Sequence, residues 1–200
     1  MNPDSLGDFK ILFLAGFLSS TGAVNAPDEF HDDFYALGDP TEAAFATLLM
    51  KAGFDQQATS LEYERKRLFP FDSARKRISI VREHKNRQTV FVKGSIESVL
   101  ACCTHERMND KQHELTDQKR SELLAISRAY ANQALRVIAL AFRDLEEGED
   151  CTQQSAEANL IFSGFVTMID PPREEVRSAV LIAHRAGIRT IMITGDHQAT

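Results

Sequence analysis

The chain has 200 residues, 43% of them hydrophobic and 26% charged, which is the balance of a globular domain with room for a second, smaller unit. Its formal net charge of −6 argues against a nucleic-acid partner. Its 3 cysteines, two of them adjacent, argue against a disulfide framework.

Leu6, Phe9, Phe13 and Phe17 recur at helical spacing, with Leu12, Leu14 and Leu18 widening the stripe, so a buried helix is expected first. The apolar run is too short to cross a bilayer and lacks the basic flank of a signal peptide. Thr21 to Leu37, with Gly22, Pro27 and several acids, reads as a loop. Gly38-Asp39-Pro40-Thr41-Glu42 opens the next helix: Asp39 suits the N-cap, Pro40 the first turn and Glu42 the N3 position. Capping alone explains Asp39 and Glu42. Thr41 and Glu42 could also present a hydroxyl and a carboxylate to a neighbouring site.

Leu61 to Phe71 reads as a strand broken by Pro70. Arg77 to Arg82 alternates Ile78 and Ile80 with polar neighbours, and Thr89 to Lys93 is β-branched and aromatic. With Glu83 to Gln88 as a charged loop, the two make a hairpin that brings Phe71 and Lys93 near each other. Lys93 ends its strand beside Gly94, and Ser95 caps a helix through Ile96, Val99 and Leu100. Lys93 reads two ways, as a solvated turn lysine or as a phosphate ligand at a helix start. Phe71 is either a core aromatic or a ring that stacks on a base.

Cys102, His105 and His113 match no zinc spacing. Thr116 starts a helix carrying Leu123, Ile126 and Tyr130, and Arg136 then enters a strand over Val137 to Phe142. Arg136 either meets helix carbonyls or reaches a phosphate. Leu145 to Asn159 is acidic and reads as an exposed loop. From Leu160 the pattern becomes strand, Asp170-Pro171-Pro172-Arg173, a helix from Glu174 to Ala186, and a strand from Ile188 to Ile193 ending on Thr194-Gly195-Asp196. That order predicts a parallel α/β unit with ligand-facing residues at its strand end.

No P-loop or Rossmann glycine pattern occurs. The ordered set Gly38-Asp39-Pro40-Thr41-Glu42, Phe71 to Lys76, Lys93-Gly94-Ser95-Ile96-Glu97, Leu135-Arg136, Asp170 to Arg173 and Thr194-Gly195-Asp196 resembles the cytoplasmic region of P-type cation-transporting ATPases, nearest the type II, calcium-pump-like group. The resemblance implies an α+β fold: residues 1–159 form a nucleotide-binding domain, an antiparallel sheet flanked by helices. Residues 160–200 begin a haloacid-dehalogenase-like phosphorylation domain, with a hinge at 169–173 that includes Asp170 and Arg173.

By resemblance Phe71 stacks on adenine, Lys93 and Gly94 line the ATP pocket, Glu42 sits near the base and Arg136 meets the phosphates. Thr194, Gly195 and Asp196 face the transferred phosphate. The family's phosphorylated Asp-Lys-Thr-Gly-Thr segment is absent, and Ala74 stands where calcium pumps often carry an acid. The expectation is a soluble cytoplasmic piece of a membrane enzyme. It binds ATP without turning it over and holds no metal itself, magnesium belonging to the full-length enzyme. Its partners are the missing phosphorylation, actuator and transmembrane domains. The alternatives are a haloacid-dehalogenase-like phosphatase with a cap, which needs an early Asp-x-Asp that is absent, and a non-catalytic interaction domain, which predicts erosion at Phe71, Lys93 or Arg136.

Overall fold

The computed structural model describes residues 6–169, 174–191 and 193. Its elements in chain order begin with α1 (Asp8–Leu18), β1 (Ala23–Asn25), β2 (Tyr35–Leu37), α2 (Pro40–Lys51) and α3 (Gln56–Glu62). The strands β3 (Glu64–Asp72), β4 (Arg77–His84) and β5 (Arg87–Gly94) follow, then α4 (Ile96–Leu100), β6 (Cys103–Met108) and β7 (Lys111–Glu114). The chain continues with α5 (Asp117–Ala131), β8 (Arg136–Asp144), α6 (Gln153–Ala156), β9 (Leu160–Met168) and α7 (Glu174–Arg185). The fold is mixed α+β, and one seven-stranded sheet in the order β3-β4-β5-β8-β9-β6-β7 organises it. Among the described residues no helix is long and apolar enough to cross a membrane.

Strand alternation divides the core between the two sheet faces. Phe91, Leu140, Phe142 and Ile161 pack with Leu12, Leu18, Phe45 and Leu49 of α1 and α2. Val90, Val92, Ala139, Ala141 and Leu160 pack on the other face with Ile96, Val99 and Leu100 of α4. Phe91 is 1% exposed, and burying a ring that completely contributes about 2–3 kcal/mol. Lys93, two residues further along β5, lies on the same face as Phe91.

The β4–β5 hairpin forms as expected, but Glu83 to Gln88 is not a six-residue loop. The strands run on to a two-residue turn at Lys85 and Asn86, with φ of 49° and 60°, the left-handed pair that matches strand twist in tight hairpins. Pro70 lies within β3 rather than ending it. This is an edge strand, and its register with β4 is irregular between Phe69 and Asp72, where a missing N–H is tolerated.

Four further expectations are corrected. Thr21 to Leu37 is not all loop, since β1 and β2 pair antiparallel within it. Phe9 is 61% exposed rather than buried. Leu145 to Asn159 is not wholly exposed, because α6 brings Ala156 and Glu157 into the interior. Leu160 does not open the second unit: β9 pairs antiparallel with β8 and parallel with β6, inside the main sheet. An apolar run of that kind looks the same in a parallel α/β unit and in a strand covered on both faces, so the pattern could not separate the two. Helix α7 follows as expected, but no strand forms among the described residues of Ile188 to Ile193.

Candidate functional site

The N-terminus of α2 is the anchor. The Asp39 carboxylate accepts from the backbone N–H of Thr41 at 2.8 Å and of Glu42 at 3.3 Å, which satisfies two orphan donors of the first turn. Desolvation works to raise the Asp39 pKa, but those bonds and the nearby Arg136 charge outweigh it, and the group sits below its ordinary value. Glu42 does not close a capping box. Its carboxylate accepts from the Thr21 N–H at 2.9 Å with one oxygen and meets the Lys93 ammonium at 2.7 Å with the other. Gly22 makes this possible, because a Cβ there would lie 2.7 Å from the Ala43 nitrogen and 2.7 Å from the Glu42 Cβ.

Lys93 is 4% exposed. Its ammonium donates to the Ser20 hydroxyl, pairs with Glu42, and lies 4.6 Å from the centre of the Phe45 ring. Burial pushes its pKa down to about 8, against the pull of Glu42 and Asp39. The burial of Lys93 overturns one of the two readings that its sequence context allowed. It is not a solvated lysine, and its charge is already engaged by a carboxylate.

Phe71 lies on β3 next to the row Asp72–Arg77–Gly94, and the neighbouring row pairs Ile78 with Lys93. Phe71 falls within the register break between Phe69 and Asp72, so alternation does not decide whether its ring shares the Lys93 face. Phe71 is 62% exposed, so it is not a core aromatic. Arg136 enters β8 on that face and donates to the Thr41 hydroxyl at 3.2 Å. Glu42, Lys93, Thr41 and Arg136 therefore meet at one end of the sheet, with Phe71 on β3, two strands from Lys93. Gly94 has a packing role: a Cβ there would lie 2.4 Å from the Lys76 carbonyl oxygen, which accepts from the Ser95 N–H at 3.0 Å. Asp170, Arg173, Thr194, Gly195 and Asp196 lie outside the described residues.

Sequence reasoning missed Ser20 and Phe45, which complete the surroundings of Lys93, and it missed Glu157. The Glu157 carboxylate accepts from the Arg77 Nε at 2.7 Å and from the Ser79 hydroxyl, and also holds Arg75. Arg75 in turn donates to the Pro70 carbonyl at 2.6 Å, one residue before Phe71. Only the basic run Arg75-Lys76-Arg77 hinted that a buried acid was needed. Among the described residues no group of three or more His, Cys, Asp or Glu side chains could hold a metal ion.

The site offers an exposed ring face, a buried ammonium–carboxylate pair and a guanidinium, which together suit a planar base joined to an anionic tail. A family described as P-type ATPase, cytoplasmic domain N, matches residues 8–175. The chain is 37% identical over 178 residues to a calcium-transporting ATPase of Bacillus subtilis, covering 88% of this chain and 20% of that protein. It is 41% identical over 165 residues to calcium-transporting ATPase 1 of Bacillus cereus, covering 82% and 18%. It is 38% identical over 170 residues to the cation-transporting ATPase pma1 of a Synechocystis species, covering 84% and 18%. The chain spans about a fifth of the length of the curated relatives it matches. With the seven-stranded sheet and its flanking helices, these matches identify the chain as a member of the P-type ATPase cytoplasmic N-domain family.

Proposed function

We propose that this domain binds ATP, with the base on Phe71 near Glu42, Lys93 lining the pocket and the phosphates toward Arg136, as the nucleotide-binding part of an ATPase that moves a cation across a membrane. The observation that carries the reading is the 62% exposure of Phe71 beside the Lys93 row. A large aromatic left open at the end of an edge strand costs apolar burial, and a stacked base recovers it. Glu42 holds the Lys93 ammonium in place and lies where an exocyclic amine could be accepted. Arg136, at the mouth beside Thr41, is the guanidinium we assign to a phosphate.

Phosphoryl transfer belongs to an aspartate of the parent enzyme, and magnesium is assigned to that full-length enzyme. We place the domain on the cytoplasmic side of the membrane, joined near residues 169–173 to the phosphorylation unit, with Thr194, Gly195 and Asp196 facing the transferred phosphate. Calcium is the proposed cargo, because curated relatives from two Bacillus species carry that ion in their names.

The test is an amide NMR titration with ATP in the absence of magnesium. Shifts should centre on Glu42, Phe71, Lys93 and Arg136. A spectrum unchanged at millimolar ATP overturns the proposal.

A further inference from the structure

The sheet face that carries Lys93 also holds a polar cavity of about 480 Å³, lined in part by Thr21, Gln57, Ser60, Arg65 and Arg82. On β4, Arg82 stands opposite Arg65 of β3 and Thr89 of β5. It is four residues from Ile78, the partner of Lys93, so the cavity lies roughly 13 Å along the sheet from the Lys93 row at ~3.3 Å per residue.

Arg82 is unusual here. It is 7% exposed, yet its guanidinium bonds only to carbonyl groups: Nε donates to Leu18 at 3.1 Å and Nη1 to Tyr63 at 3.2 Å, at the ends of α1 and α3. Those carbonyls supply partial negative charge and not a full counter-charge. Its Nη2 has no hydrogen-bond partner among the described residues, and neither Arg82 nor Arg65 is in an ion pair there. Glu64, the acid on the cavity wall, is engaged by Lys66 at 2.8 Å. Burial, and then the like charge of Arg65, push the Arg82 pKa down to about 10. Two guanidiniums thus share one cavity without a carboxylate between them.

We propose that this cavity binds a small oxyanion, phosphate or a phosphate monoester, between the free edge of Arg82 and the guanidinium of Arg65. An oxyanion supplies the missing counter-charge and accepts from both forks, the recognition for which arginine is suited. Ser60 adds a hydroxyl at the cavity wall, and the Thr21 hydroxyl there donates to Glu42 at 3.4 Å. The site is separate from Phe71, so it does not depend on the nucleotide reading.

The test titrates this chain with inorganic phosphate and, in a second arm, with phenyl phosphate, at constant ionic strength against chloride. Shifts are expected at the Thr21, Ser60 and Arg65 amides and at the Arg82 Nε–H, and the tighter arm identifies the source of the phosphate group. Arg65→Glu lies on an exposed strand position and should keep the fold, checked by its thermal midpoint, while weakening binding about tenfold or more. Phe71→Ala should leave phosphate binding unchanged. An absence of shifts at millimolar concentrations of both anions overturns the proposal, as do shifts that survive Arg65→Glu undiminished.

Discussion

The Lys93 ammonium and the Glu42 carboxylate stand 2.7 Å apart with side-chain exposures of 5% and 20%, and the two residues are not equally dependent on each other. Glu42 keeps the Thr21 N–H and the first turn of α2 if Lys93 is removed. Lys93 keeps only the Ser20 hydroxyl and the Phe45 ring if Glu42 is removed. Glu42→Ala should therefore cost about 3 kcal/mol, the penalty of a buried charge left without its partner. Lys93→Met should unfold at the same or a higher urea concentration than the parent, because it removes the desolvated charge. A reversed order in urea denaturation would show that the pair is held from the lysine side.

The same burial sets a pH dependence. The folded value of Lys93 is about 8 and its ordinary value is 10.5. Between those limits the unfolded chain binds more protons than the folded one, so this group makes stability rise with pH. Its cost is fully present below about pH 8 and is relieved as pH climbs toward 10.5. The full relief is about 3 kcal/mol. Tyrosine and cysteine titrations overlap the window, so the quantity to measure is the stability of the parent minus that of Lys93→Met at each pH. A difference that stays flat from pH 8 upward would contradict this account.

Much of this was legible in the chain, and the exceptions have physical causes. The capped start of α2, the β4–β5 hairpin and the Ser95-capped α4 all rest on local rules, and all form where expected. The placement of Leu160–Met168 depended on which strands covered it, which no local pattern records. Antiparallel pairing places Phe71 on β3, two strands from Lys93, and their exposures came out opposite to the plain expectation. The aromatic is open and the lysine is sealed. The reason is distant in sequence: Ser20, just after α1, and Phe45 of α2 cover Lys93, while Phe71 at the far end of the edge strand β3 stays 62% exposed.

Phe71→Ala should separate binding from folding. The ring is 62% exposed, so its loss should shift the unfolding midpoint little. ATP affinity should fall by about 1–3 kcal/mol, roughly five- to 150-fold in Kd, if the ring carries the base. Isothermal titration calorimetry with ATP and with tripolyphosphate distinguishes the cases. Loss for ATP alone assigns Phe71 to the base, and an unchanged ATP affinity places the base elsewhere.

Glu157 tests whether the turn behind that ring is held from across the sheet. Its carboxylate, 3% exposed, gathers Arg75, Arg77 and Ser79, and Arg75 passes the restraint to the carbonyl of Pro70. The Asp72 side chain ties the same turn locally, accepting from the N–H groups of Ala74 at 3.0 Å and Arg75 at 2.9 Å. Glu157→Gln leaves two partly buried guanidiniums with a neutral acceptor and should cost about 3 kcal/mol in urea unfolding. Arg75→Met removes the link to Pro70 while Arg77 keeps Glu157 paired, so it should cost less stability. If the link positions Phe71, Arg75→Met weakens ATP and adenosine to a similar degree and leaves tripolyphosphate unchanged, because only the stacking surface has moved. Equal losses for all three ligands would mean that the change disturbs the cationic end of the site instead.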